Sequence, residues 1–185
     1  MKKLFLSICL AVAAMTYCQA EEFKDWHGIN EATVEQRINV QSSTVCVVAH
    51  SKVEKKGTKA AEKQQAAIDA LGQTIVDEVK DAFPKADVKL IANAQEAPAN
   101  AIVIEAVFEE LVWGTAHSLA GSIAGNGIQG RYSAKGTNAN GVVFTMKNHR
   151  LYNNPLASTK GQKVIQSYNE SFAEDIVVVL KEMSK

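Results

Sequence analysis

Cysteine is scarce in this chain, with three residues at positions 9, 18 and 46, and proline is equally rare. Neither a disulfide scaffold nor a proline-rich linker is therefore available. Net charge is lacking too, since 20 basic residues meet 20 acidic ones. That balance removes the electrostatic footprint that nucleic acid or an anionic membrane surface requires, so no nucleic-acid partner is expected. His27, His50, His117 and His149 are scattered, without H-x-H or H-E-x-x-H spacing, and no metal site is expected. Cys46 and His50 stand four apart, but on a strand that spacing separates α-carbons by about 13 Å, too far for a shared ion.

What is present begins with an export signal. Lys2 and Lys3 precede an uncharged run from Leu4 to Ala14, and small residues end at Ala20 before Glu21 and Glu22. The run is shorter than the roughly 20 residues of a membrane-spanning helix, so residues 1–20 read as a signal peptide and the product as periplasmic. An outer-membrane lipoprotein attached through Cys18 is the alternative, which Tyr17 fits poorly. Removal of Lys2 and Lys3 leaves 18 basic against 20 acidic residues, a net charge of −2. Lys52, Lys55, Lys56 and Lys59 cluster, but Glu54 and Glu62 interleave them, as on a solvated loop and helix start. Cys46 then remains as a lone thiol among strand-forming residues, where a buried, inert role is expected.

Hydrophobic periodicity organises the rest. Residues 21–42 show no clear period and read as an N-terminal arm, with a single domain over 43–185. Thr44 to Ala49 reads as a strand buried on both faces. A long helix follows Thr58, carries the stripe Ile68, Leu71, Ile75, Val79 and Phe83, and stops at Pro84. A short strand over 87–92, a turn over 93–100 and a long strand from Ala101 to Trp113 come next. The long strand places Ile102, Ile104, Ala106 and Phe108 on one face, and Val103, Glu105, Val107, Glu109, Leu111 and Trp113 on the other. Ala116, Ala120 and Ala124 then mark a short glycine- and alanine-rich helix. Strands over 128–137 and 142–152 are joined by a turn at Asn140-Gly141. The last helix has the stripe Ile165, Tyr168, Phe172, Ile176, Leu180 and Met183, with Ser167 and Glu170 offering a capping box for a later start. The expected fold is α+β in two layers: a mixed, largely antiparallel sheet of about five strands under two long helices and the short one.

Motifs that carry chemistry are present only as imitations. GNGIQG at 125–130 has dinucleotide spacing, but it follows the alanine run and leads into a strand, the reverse of the polarity a pyrophosphate needs. Gly57-Thr58-Lys59 lacks the upstream glycine of a phosphate loop. Ser122 lies inside the alanine-rich segment, not on the strand-to-helix turn of a nucleophile elbow. Glu105 and Glu109 are spaced for salt bridges to a neighbouring strand, not for paired acid–base work. No catalytic residue and no cofactor is expected.

The stretch AIVIEAVFEELVWGTAHSLAGSIAGNGIQGRYSAKGTNANGVVFTMKNHRL resembles a group of exported bacterial α/β proteins, many of them lipoproteins. Their domain is similar in outline to the periplasmic domains of TolB and of the curli-export channel lipoprotein. The resemblance covers most of Thr44 to Lys185 and implies a non-enzymatic role in the cell envelope.

Two functions fit these observations. One is a binding or assembly module, partnered by an envelope protein or by itself, with Gly121-x-x-x-Gly125 permitting close approach of another helix. The other is a small-ligand-binding protein or enzyme with a pocket near Trp113, His117, Glu105 and Arg131. Membrane contact ranks last unless Cys18 carries lipid, because the small-residue segment lacks basic flanks and bulky anchors.

Overall fold

A computed structural model describes residues 21–23, 29–53, 59–115, 126–154 and 161–185. Its strands are β1 (Glu21–Phe23), β2 (Ile29–Val34), β3 (Thr44–Ser51), β4 (Asp87–Leu90), β5 (Ile102–Thr115), β6 (Asn126–Asn138) and β7 (Gly141–Asn154). Its helices are α1 (Lys59–Asp69), α2 (Leu71–Ala82) and α3 (Gly161–Met183). The strands make one sheet in the order β1-β2-β7-β6-β5-β3-β4. Pairing is antiparallel from β1 through to β5, and parallel where β3 joins β5 and β4.

The α+β class and the largely antiparallel pairing agree with the sequence, but the described residues form seven strands where five were expected. The two additional strands come from 21–42. Ile29, Ala32 and Val34 are buried there, although the polar residues between them obscure the alternation.

Alternation decides which face each strand turns to the helices. Val45 and Val47 of β3 join Ile102, Ile104, Ala106 and Phe108 of β5, and Phe144 and Met146 of β7, in one core. The expected stripes of the helices close it from above: Leu71, Ile75, Val79, Ile165, Phe172, Ile176, Leu180 and Met183 are all at most 1% exposed. Each large apolar side chain buried this way contributes about 1.5–3 kcal/mol. On the opposite face Cys46, Val48, Ala101 and Val103 form a smaller cluster, covered by Ile91, Ala94 and Ala97. Segment 91–101, with a 3-10 turn at Ala94–Glu96, thus caps one corner of a face on which none of the described α-helices lies.

Three local expectations are corrected. The helix after Thr58 is two helices, because the chain turns at Ala70, whose carbonyl accepts both the Thr74 amide and the Thr74 hydroxyl at 3.0 Å. That second bond bends helices, yet the apolar stripe passes the joint in phase. Ser167 and Glu170 cap nothing, since α3 begins at Gly161 and runs through them. The β6–β7 turn is Ala139-Asn140 between paired Asn138 and Gly141. Asn138 Oδ1 accepts from the Asn140 amide at 2.8 Å, and Gly141, at φ +114°, supplies the left-handed backbone one place after the turn. The glycine- and alanine-rich helix falls within 116–125, outside the described residues.

Buried polar groups fasten α3 to the sheet. Tyr132 stacks between Phe108 and Phe172, with ring centroids 4.3 and 4.8 Å away. Its hydroxyl donates to Asn169 Oδ1 at 3.1 Å, and Asn169 Nδ2 donates to the Ala67 carbonyl of α1 at 2.7 Å. Tyr168 donates to the Ile128 carbonyl at 2.6 Å, across Gly130. Asp175 accepts from Asn148 and Arg150 of β7.

Candidate functional site

Two β-bulges shape the helix-free face. In β5 the register slips between Phe108 and Glu110, and in β2 between Ile29 and Glu31. Each slip inserts one extra residue, Glu109 or Asn30. Both adjoin a single cross-strand row, Ile29–Asn148–Tyr132–Phe108, from opposite ends. A bulge re-aims the side chains beside it, and here the reversal is visible in β5. Glu109 bonds Ser133 and Glu110 pairs with Arg131, so consecutive glutamates serve one face, whereas Leu111 packs on the helix-side core. The expected grouping of Leu111 with Glu105 and Glu109 is therefore corrected.

Lys52, just past β3, holds the β5 bulge in place. Its amide donates to the Phe108 carbonyl at 2.9 Å and its ammonium lies 2.5 Å from Glu109. Burial raises the Glu109 carboxyl, but hydrogen bonds from Lys52 and Ser133 and the Lys52 charge outweigh it and hold the pKa below the ordinary value.

Between the bulges lies a solvent-open depression of about 350 Å³, lined by Asn30, Glu31, Glu109, Arg131, Lys147 and His149 among others. A neighbouring one of about 410 Å³ is lined by Glu105, Lys135 and Thr145 and shares Glu31, Ser133 and Lys147 with the first. Lys147 pairs with Glu31 at 2.8 Å and Arg131 with Glu110 at 3.0 Å. With its amide oxygen turned towards them, Gln129 accepts from His149 Nε2 at 2.9 Å and from Arg131 at 3.1 and 3.2 Å. Burial, then the Arg131 charge, lowers the His149 pKa against the pull of Glu110, so the imidazole is neutral at physiological pH. Exposed pairs of this kind are each worth at most about 1 kcal/mol. Their effect is to set a charge pattern, with acids on β2 and β5 flanking bases on β7 and β6.

The residues expected near a pocket are distributed as follows. Glu105 and Arg131 share the helix-free face but line adjoining depressions, and Glu105 stands opposite Lys135, not Arg131. Trp113 holds a register position opposite Ile128, and its side chain is outside those described. His117, Gly121 and Gly125 lie outside the described residues. The end of GNGIQG opens β6 and is followed by strand, not helix. Cys46 is fully buried, and burial raises its thiol pKa, so the thiol stays protonated. Among the described residues no group of three or more His, Cys, Asp or Glu side chains is placed to hold a metal ion, and no helix is long and apolar enough to cross a membrane.

Sequence reasoning missed Asn30, Glu31, Ser133 and Lys147. Glu31 lay in the segment without a period, and a bulge leaves no sequence signal beyond a break in alternation, here the Glu109-Glu110 pair.

The fold and this face define an α+β domain whose described helices pack on one surface of a mixed sheet. No family model and no curated protein matches the chain. Solved structures do match. PelC from Paraburkholderia phytofirmans, crystallised as a dodecamer, superimposes with TM-score 0.51 at 12% identity over 83% of this chain and 97% of that one. A single-substitution variant of that PelC, also a dodecamer, gives 0.50 at 14%, over 80% and 97%. A Helicobacter pylori protein described as a neuraminyllactose-binding hemagglutinin homolog gives 0.48 at 12%, over 81% and 90%. Rare lipoprotein B from Shewanella oneidensis gives 0.34 at 10%, over 75% and 92%. The PelC matches establish a shared fold.

Proposed function

We propose that this chain is an exported, non-enzymatic binding or assembly module of the bacterial envelope, working through the helix-free face of its sheet. Residues 1–20 serve as the signal peptide, and the periplasm is the destination. The observation that carries the reading is the open face between the bulges, where eight charges over β2, β5, β6, β7 and Lys52 stand with no α-helix over them among the described residues. Likeness in fold to PelC, which assembles as a dodecamer, supports an assembly role. The envelope-lipoprotein outline of the TolB and curli-export domains belongs to the same proposal.

Site-directed photo-cross-linking in intact cells tests it. A cross-linker at Thr145, exposed on the open face, should give a discrete envelope adduct, and one at Glu170, exposed on α3, should not. Equal adducts from both positions, or none from Thr145, would reject the face.

A second reading is favoured by the two adjoining depressions, whose volumes of about 350 and 410 Å³ suit a small ligand. Glu105 and Arg131 would supply its polar contacts, one from each depression. Ligand-induced NMR shifts centred on Glu31, Ser133 and Lys147, the residues common to both depressions, would support it.

A further inference from the structure

The charge pattern of the open face is complementary to its own image. Across the sheet, β6 carries Arg131 and Lys135, and β5 carries Glu105, Glu109 and Glu110. In register, Lys135 stands opposite Glu105 and Arg131 opposite Glu110.

Consider two copies stacked face to face about a two-fold axis. An axis perpendicular to the strands lays every strand on its own copy, placing bases on bases. An axis parallel to the strands between β6 and β7 lays one basic strand on the other. An axis parallel to the strands and midway between β5 and β6 exchanges those two. Lys135 then faces the partner's Glu105 while Glu105 faces the partner's Lys135, and Arg131 faces the partner's Glu110. Such reciprocity defines an isologous contact. Aligned stacking of this kind is one of the two ordinary packings of sheets.

Shape agrees with charge. The same rotation exchanges β3 with β7, so segment 91–101, which stands off this face over Cys46 and Val48, comes above the partner's β7. There lies the larger depression, lined by Thr145 and Lys147.

We infer that the helix-free face binds a second copy of this chain about a two-fold axis running along the strands between β5 and β6. The inference rests on the proposed binding role of this face and names its occupant. Because like charges opposed across an interface are costly, the pattern selects register and partner more than it supplies affinity.

Sedimentation equilibrium on the purified chain tests it. Wild type should have twice the monomer mass at about 50 mM salt and shift towards monomer at about 500 mM, where screening is strong. Lys135→Glu and Glu105→Lys should each stay monomeric, weakening association at least tenfold. Mixed one to one they should dimerise with each other, since every reversed charge then meets its opposite, and the double variant should dimerise alone. Far-ultraviolet circular dichroism identifies any variant that fails to fold, and the salt dependence of wild type stands without the variants. A wild type monomeric at both salts, a single variant dimerising like wild type, or two folded variants that stay apart when mixed would overturn the inference. A monomeric wild type whose Thr145 cross-links to another envelope protein would remove the second copy and leave the binding role intact.

Discussion

Asp175 of α3 is 2% exposed and accepts from Arg150 of β7, 25 residues earlier in the chain. Asn148 donates to the same carboxyl, and its own Oδ1 is buried without a hydrogen-bond partner. Burial dominates this carboxyl and raises its pKa from 3.8 to about 6, against the lowering effect of the Arg150 charge and the bonds from Arg150 and Asn148, with Glu174 adding a small push upward.

A raised carboxyl means that the folded chain binds this proton more tightly than the unfolded chain does. The resulting stabilisation is full below about pH 4 and is lost as pH climbs to about 6, a change of up to about 3 kcal/mol. Urea midpoints between pH 4 and 7 should therefore carry a component that falls with pH, and Asp175→Asn should remove it. Identical pH dependence in wild type and variant would show that this carboxyl does not titrate in that window.

Gly130 lies under the Tyr168 ring. A Cβ added there would stand 2.8 Å from Tyr168 Cδ2 and 3.1 Å from Tyr132 Cε2. Gly130→Ala should cost about 1–3 kcal/mol by displacing the ring that donates to the Ile128 carbonyl. Chemical denaturation measures it, and a variant as stable as wild type would mean that the ring shifts freely.

The β5 bulge makes neighbouring residues unequal. Leu111 packs on the helix-side core, whereas Val112 stands opposite Gln129 of the open face. Leu111→Asp should cost about 2 kcal/mol or more by placing a charge against that core, and Val112→Asp less than about 1. Equal costs, or the reverse order, would mean that alternation runs unbroken from Ile102.

Much of the architecture was legible because burial writes a period into the chain. Ile68, Leu71, Ile75 and Val79 mark α1 and α2, and Ile165 to Met183 marks α3, since only one side of each helix meets the sheet. Residues 29–34 were illegible for a related reason. On that outer strand, Asn30 and Glu31 are both exposed between buried Ile29 and Ala32, so the bulge erases the period-2 signal. The site was legible in part. Glu105, Glu109 and Arg131 could be placed by strand parity, but which base met which acid depended on register, and register depended on two inserted residues. Asn169 and Asp175 gave no warning either, because a polar residue on a helix face reads as solvated until its partner on another strand is known.

The order in which the elements leave the ribosome has its own consequence. α3 is the final 23-residue helix, and it packs on α1, α2, β2, β6 and β7. Until it emerges, the greasy side of those strands has no roof, and the Asn148 and Arg150 side chains lack the carboxylate that fixes them. The helix-side cover of β2, β6 and β7 thus depends on this one element, so whatever unseats α3 exposes all three strands together.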